Sequence, residues 1–270
     1  MNKATIFLLN LARKAHEDQV MERAAGLTYR VLLAFFPFLI FLMSLLGFIA
    51  LDTAAILTPI YDVLPGDVAI LVEDFLFGME NTRSAGLLSA GLFFTVNNSS
   101  AGFRAIIRST NAAYGTVDTR GGVWRILVSL VMMFLFAFTL ISMLVVLVLG
   151  RHIWDIFVPR NFEALFLPIS TAAAFVIMIF STMLIYKIAA SKKLKLRQVL
   201  PGAVFTVFAW AIASAVFGFV IPNFTQYPAI YGSIAGVFIL ILWLNLVCII
   251  LLIGNELNAL LVTEAATRLS

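Results

Sequence analysis

Residues 85–101 read AGLLSAGLFFTVNNSSA, and their placement sets how many times the chain crosses a membrane. The stretch is apolar at its start and polar at its end, and it is shorter than the roughly 20 apolar residues that a bilayer-spanning helix needs. Five other stretches meet that length clearly, namely 31–51, 126–150, 164–186, 199–221 and 234–254. The chain therefore has either five or six spans.

The composition places the chain among membrane proteins. Of its 270 residues, 62% are hydrophobic and 12% are charged, whereas soluble proteins have roughly half and a quarter. A soluble domain of this length cannot hide so much apolar surface in one core. The composition excludes a soluble globular domain, a disordered chain and a fibre, and it predicts an all-α polytopic membrane protein.

The positions of the basic residues decide between five and six spans, because Lys and Arg accumulate on the cytoplasmic side of a membrane. With residues 85–101 as a span, 15 of the 18 basic residues fall on one side and 3 on the other. Without that span the division is 11 to 7. The sequence therefore predicts six transmembrane helices with both termini in the cytoplasm.

This topology divides the chain into three parts. Residues 1–30 form a cytoplasmic segment with an interfacial helix, residues 31–262 form the six-helix membrane domain, and residues 263–270 form a cytoplasmic tail. The first outer loop, residues 52–84, is acidic and carries two apolar runs around Pro65-Gly66. It predicts two short amphipathic helices that act as a packing cap or, alternatively, as a lid.

A polar stripe follows residues 85–101 toward the cytoplasm. Its members are separated by three or four positions and so share one helix face: Asn97, Ser100, Arg104, Arg108 and Asn111. Such a face can form a cationic groove for an anionic group such as a lipid phosphate, because Arg offers several donors in a fixed fork. The alternative is an amphipathic helix end whose arginines reach toward lipid headgroups.

The last span carries a second polar line, from Asn245 to Glu256. These residues point in directions that differ by about 20° on a helix. A carboxylate near the C-terminal end of a helix opposes the helix dipole, so it needs a basic partner. Arg104 or Arg108 is the expected partner, in a structural ion pair or beside a proton- or substrate-coupled carboxylate.

Three further features concern shape. Tyr227 and Tyr231 lie in an uncharged turn that caps a hairpin or, alternatively, lines the outer mouth of a cavity. Pro37 and Pro168 lie within predicted spans and each permits a helix kink. Small residues in the fifth span predict a close packing seam, either within the chain or at a dimer face, namely Ala211, Ser214, Ala215 and Gly218.

No catalytic or metal-binding motif occurs in the sequence. The two histidines, His16 and His152, fall on opposite sides of the membrane in this topology and cannot share a metal. The basic loops indicate contacts with anionic lipid headgroups rather than with nucleic acid. We therefore expect no catalytic residues, no metal, no cofactor and no enzymatic activity.

Several segments, taken in order, resemble the YihY/BrkB family of bacterial inner-membrane proteins. They include AAGLTY at 24–29 followed by Phe36-Pro37, FRAIIRSTNAAY at 103–114, YGSIAG at 231–236, Leu242-Trp243 and GNELN at 254–258. The resemblance covers residues 10–262. It implies a multi-pass protein of the bacterial plasma membrane with about six spans.

The resemblance also bears on function. Some members of that family carry a ribonuclease label that is regarded as mistaken, and others are linked to serum resistance or to envelope lipid export. These links favour movement of a lipid or other anionic amphiphile, with the polar stripe, Asn245 and Glu256 lining the cytoplasmic half of a path. The alternative is a non-transporting scaffold for envelope assembly. Membrane lipids are the expected partners, while a homo-oligomer and an envelope-assembly partner stay open.

Overall fold

The computed structural model describes residues 3–49, 61, 69–70, 73, 85–146, 150, 165–220 and 233–267, and no strand occurs among them. The described helices are α1 (Lys3–Glu17), α2 (Val20–Ile49), α3 (Ala85–Ala113), α4 (Gly122–Leu144), α5 (Phe166–Ala189), α6 (Leu196–Val220) and α7 (Ser233–Thr267). The predicted all-α fold is confirmed. The two helices predicted for residues 52–84 fall almost entirely outside the described residues.

The helices are longer than the apolar stretches that predicted them. The stretch at 85–101 is part of α3, which continues through the polar stripe to Ala113. Likewise, α2 begins at Val20, in a polar segment before the predicted span. The last helix reaches Thr267, so the predicted tail from residue 263 begins as helix. Four described helices are long and apolar enough to cross a membrane, namely α4, α5, α6 and α7. The count of six spans and the sides of the termini stay predictions.

The helices pack in sequence order around a ring. Each of α2 to α6 contacts the next helix, and α7 returns to contact α2. Across the ring, α3 also contacts α5 and α7, while α1 packs against α2 and α7. Helices that are neighbours in sequence are therefore neighbours in space, as in other helix bundles.

The hydrophobic core lies toward one end of this bundle, which we call the packed end. Its buried side chains come from the start of α2, the end of α3, the end of α5, the start of α6 and the second half of α7. The largest among them include Leu27, Ile107, Tyr186 and Val199. The packed end is also where α1 docks against α2 and α7.

The outward faces of the spanning helices are apolar and exposed. Phe138 of α4 is 68% exposed, Phe180 of α5 is 55% exposed and Ile212 of α6 is 64% exposed. Soluble proteins rarely leave large contiguous apolar faces in water. These faces are those expected of helices that contact lipid.

The prolines differ in their effect on the helices. Pro37 lies inside α2, where it removes one helical hydrogen bond. Pro168 lies in the first turn of α5, which begins at Phe166. The N–H groups of a first turn have no acceptor within that helix, so Pro168 removes no hydrogen bond within Phe166–Ala189. The kink predicted at Pro168 stays a prediction.

A close helix crossing involves α6 and α7, but at other positions than the predicted seam. Ala211 and Ala215 are exposed, and a Cβ added at Gly218 would meet nothing within 4 Å. As a seam within the chain the prediction is wrong, and a dimer face at these positions stays a prediction. A Cβ added at Gly202 would instead lie 2.0 Å from the carbonyl oxygen of Gly254. The two backbones approach so closely because both positions lack a side chain.

Candidate functional site

A groove of about 650 Å³ opens between the middle of α3 and the start of α4. Its volume lies within the range of small-molecule sites. The apolar part of its lining consists of Phe93, Val96, Ile126 and Leu130. The polar part consists of Asn97, Ser100, Arg104 and Arg125. We call this the α3–α4 groove, and it combines an apolar wall with two guanidinium groups.

Hydrogen bonds between side chains fix the polar part of the groove. Ser100 of α3 and Ser129 of α4 are both buried, and their hydroxyl oxygens lie 2.7 Å apart. Arg104 donates from Nη1 to the hydroxyl of Ser100, one turn earlier on α3. The hydroxyl pair thus joins the two helices and orients the Arg104 side chain, whose other donors remain for a ligand.

Positive charge is concentrated beside the groove. Partial burial lowers the pKa of Arg108, and the nearby charges of Arg30, Arg104 and Arg125 lower it further. Within the part of the chain that the structure describes, the ion pairs place no carboxylate beside Arg104 or Arg108, although Asp118 lies 3.7 Å from Arg125. An anion bound here would relieve the mutual repulsion of the arginines.

The predicted stripe is only partly a lining of the groove. Asn97, Ser100 and Arg104 line it, whereas Arg108 is exposed one turn further along α3. Asn111 is buried at the end of α3: its amide nitrogen donates to the carbonyl of Ala189 at 3.2 Å. Its oxygen accepts from the backbone N–H of Ser191 at 2.8 Å. Asn111 therefore fastens the end of α5 to α3 and is not part of the groove.

Arg120, which the sequence did not single out, completes the same junction. Its guanidinium donates to the carbonyls of Ile188 and Ala189 at 3.1 and 3.0 Å, and to Asp118 at 3.1 Å. Cations near the last carbonyls of a helix satisfy unpaired acceptors and oppose the negative end of its dipole. The connection between α3 and α4 thus caps α5.

Glu256 has a different partner from the one predicted. Its Oε2 lies 3.1 Å from Nζ of Lys14 in α1, so the expected pairing with Arg104 or Arg108 is wrong. Asn245 lies on the same face of α7, and its amide nitrogen donates to the hydroxyl of Thr28 in α2 at 3.3 Å. The polar line on α7 is therefore real as a helix face, but it faces α1 and α2. It lies outside the α3–α4 groove.

The predicted outer mouth cannot be placed, because Tyr227 and Tyr231 lie outside the described residues. Among the residues that are described, no group of three or more His, Cys, Asp or Glu side chains could hold a metal ion. A second cavity, of about 430 Å³ between α6 and α7, is lined by apolar side chains such as Ile212, Val216 and Phe217. It offers no chemistry beyond apolar contact.

Comparison with known proteins adds sequence relatives. The sequence model of the family described as "Virulence factor BrkB" matches residues 11–269. The chain is 36% identical over 251 residues to the ribonuclease-like protein YfkH of Bacillus subtilis, covering 91% of this chain and 90% of that protein.

A second relative is a UPF0761 membrane protein of Alkalilimnicola ehrlichii. It is 25% identical over 277 residues, covering 98% of this chain and 60% of the relative, so the chain spans less than two thirds of that protein's length. Relatives in Xanthomonas campestris share 38% identity over only 74 residues. No solved structure matches the chain.

Proposed function

The chain belongs to the virulence factor BrkB family, and from this premise we propose that it moves a lipid or other anionic amphiphile across the bacterial inner membrane. In this proposal six helices, α2 to α7, cross the bilayer and both termini are cytoplasmic. The protein works without a cofactor and is not an enzyme. We do not extend the ribonuclease-like name of YfkH to this chain.

One observation carries the proposal: a single groove presents both an apolar wall and two guanidinium groups, and among the described residues that of Arg104 has no carboxylate partner. An amphiphile has one charged end and one apolar end, so it matches such a lining better than a uniformly polar solute does. Phe93 and Leu130 would contact the apolar chain, while Arg104 and Arg125 would bind the anionic headgroup. Guanidinium groups bind phosphate and carboxylate oxygens through two parallel hydrogen bonds.

The position of the groove supports entry of a lipid from the bilayer. It opens on the side of α3 and α4, near apolar faces that are exposed, such as those of Phe93 and Phe134. A lipid could therefore enter from the bilayer without passing through water. The polar stripe would then guide its headgroup along α3 past Asn97 and Ser100 to Arg104.

Binding in the groove is tested with Arg104→Gln. We expect purified wild-type protein to retain an anionic phospholipid, phosphatidylglycerol, and the variant to retain about tenfold less, because hydrogen bonds to a charged group contribute about 1.5–3 kcal/mol. Mass spectrometry of the protein purified from vesicles of phosphatidylglycerol and phosphatidylcholine measures both lipids.

Arg197→Gln is the matched control, since Arg197 is exposed at the start of α6 and does not line the groove. It should retain phosphatidylglycerol as the wild type does. Equal retention by the Arg104→Gln variant and the wild type would show that the groove is not the anion site.

A further inference from the structure

A second charged cluster lies where α1 meets α7, apart from the α3–α4 groove. The ammonium of Lys14 is shared by two carboxylates: Nζ lies 2.7 Å from Oδ2 of Asp18 and 3.1 Å from Oε2 of Glu256. The Glu256 side chain is 4% exposed, and those of Lys14 and Asp18 are each 23% exposed. With all three groups ionised, this largely buried cluster carries one unit of negative charge.

Two polar atoms in this region lack a hydrogen bond. Oε2 of Glu256 contacts Lys14 as an ion pair, but it accepts no hydrogen bond among the described residues, and the hydroxyl of Tyr114 is likewise buried and unpaired there. The two groups are close enough to interact: burial raises the pKa of Tyr114, and the charge of Glu256 raises it further. Burial disfavours the ionised form of a carboxylate whose one positive partner is shared with a second carboxylate, and uptake of a proton removes that cost.

The charged surroundings of Glu256 are few. Lys14 and Asp18 belong to α1 and the turn that follows it, and Tyr114 follows α3. The other helices that pack against α7 are α2 and α6, and within the described part of the chain neither contributes a charged group that acts on Glu256. Lys14 is also the residue whose ion pair joins α1 to α7.

We propose that Glu256 is a proton-binding site whose occupancy controls the docking of α1 on α7. The carboxylate takes one proton from the aqueous phase and becomes a neutral carboxylic acid, so the charge of the cluster changes from minus one to zero. No other bond is made or broken. Lys14 then keeps Asp18 as its partner, four residues away in sequence, and the electrostatic attraction between α1 and α7 is lost.

This inference deepens the proposed function and rests on it in one respect: a proton gradient would supply the driving force for transport. The proton site itself is independent of the α3–α4 groove. Its charge balance also sets the direction of its pH response, because acid favours the neutral cluster and release of α1, whereas alkaline conditions restore the ion pair.

Docking of α1 is measured as a distance between two spin labels. One label is placed at Leu8→Cys in α1 and the other at Ala265→Cys in α7, both exposed positions, with Cys248→Ala to remove the native thiol. We expect a short, narrow distance distribution in alkaline buffer and a longer, broader one in acid. Glu256→Gln should show the acid distribution at every pH.

Glu264→Gln is the control for this measurement, because Glu264 lies on the same helix and takes no part in the cluster. It should respond to pH as the wild type does. A wild-type distribution that is the same in acid and alkali would overturn the proposal, as would a Glu256→Gln variant that still responds to pH.

Infrared difference spectroscopy between acid and alkaline buffer tests the proton directly. We expect a band of a protonated carboxyl group that Glu256→Gln removes and Glu264→Gln keeps. Asp18→Asn should move the midpoint of this band's titration to lower pH, since it removes a negative charge near Glu256. Lys14→Met should move it to higher pH, since it removes a positive charge.

If neither Asp18→Asn nor Lys14→Met moves the titration midpoint of the carboxyl band, the charges of Asp18 and Lys14 do not act on Glu256 and the proposed cluster is wrong. Both readouts need no transport, so the two proposals can fail separately. If the distance and infrared results hold while Arg104→Gln retains phosphatidylglycerol normally, the proton site stands and the lipid path is wrong. If Arg104→Gln loses the lipid while the distance between α1 and α7 does not change with pH, the lipid site stands and the proton site is wrong.

Discussion

At the scale of single residues, the crossing of α6 and α7 depends on two positions without side chains. Gly202 meets the backbone of Gly254, and its N–H donates to Oδ1 of Asn258 at 2.7 Å. The amide nitrogen of Asn258 donates in turn to the carbonyl of Val199 at 3.1 Å. Beside them the Tyr186 hydroxyl donates to the carbonyl of Leu251 at 2.6 Å. The side chains of Asn258 and Tyr186 thus form hydrogen bonds with backbone groups of α6 and α7 at this crossing.

Gly202→Ala should lower the stability of the protein. The new methyl group would lie 2.0 Å from a carbonyl oxygen of the facing helix, and overpacking of this kind costs about 1–3 kcal/mol. Thermal unfolding in detergent measures the effect.

Gly218→Ala is the control on the same helix, because a Cβ there meets nothing within 4 Å. It should leave the melting temperature unchanged or raise it, since Ala favours a helix by about 0.5–1 kcal/mol over Gly. If both variants melt alike, the close crossing is not a determinant of stability.

The residue scale also shows what a single sequence can and cannot predict. Helical periodicity correctly placed Asn97, Ser100 and Arg104 on one face of α3, because their spacing alone determines that face. It could not separate Asn111 from them, since the rotation of α3 against α5 decides which end of the stripe is covered. The seam prediction failed for the same reason: small residues are necessary for a close crossing, but they do not say where the partner helix lies.

At the scale of helices, the ends of α3 and α5 depend on one polar junction. Asn111 and Arg120 bind the last carbonyls of α5 from two sides, and Asp118 orients Arg120. The loop at 190–195 follows directly. Asn111 and Asp118 also bind Ser191 in this loop, through its backbone N–H and its hydroxyl.

Arg120→Met should loosen this junction. The variant keeps most of the apolar volume but loses the charged donors to Ile188 and Ala189. We expect a loss of roughly 1.5–3 kcal/mol in stability and faster amide exchange in residues 190–195, measured by hydrogen–deuterium exchange.

Lys192→Met is the comparison, since Lys192 is exposed in that same loop. It should leave amide exchange at 190–195 close to that of the wild type. Exchange that is equally slow in the Arg120→Met protein would mean that the carbonyls of α5 have another donor.

The partner of Glu256 was beyond the reach of sequence at this scale. A basic partner was expected because the sequence predicted a helix end at residue 254, where the helix dipole would disfavour a lone carboxylate. Since α7 continues to Thr267, that reason does not hold, and burial of Glu256 is what requires the positive partner. Which basic residue it is depends on where α1 packs, and the polar spacing of α3 gave no information on that. Lys14 lies in the amphipathic helix α1, but nothing in the sequence fixes which helix the apolar face of α1 packs against, so its docking against α7 was not predictable.

At the scale of the whole molecule, two polar regions lie at different places in one apolar bundle. The α3–α4 groove has two arginine side chains and an apolar wall, and the Lys14–Glu256 cluster has an excess negative charge that, in our proposal, a proton neutralises. The chain connects them through α3, because Tyr114 follows the helix that carries Arg104.

The composition alone was enough to predict a helical membrane protein, since 62% hydrophobic residues leave no soluble alternative. The ring arrangement was not predictable, because apolar helices in lipid have no hydrophobic stripe that points to a partner. Charge counting gave a six-span topology, which cysteine labelling from either side of the membrane can test.

The most direct test of the account is exchange of phosphatidylglycerol between the leaflets of liposomes that contain the purified protein. With a fluorescent phosphatidylglycerol, we expect exchange by the wild type well above that of empty liposomes. Arg104→Gln should reduce it about tenfold, and Arg197→Gln should leave it unchanged. Exchange no faster than in empty liposomes, from correctly folded protein, would contradict lipid movement and favour a non-transporting scaffold.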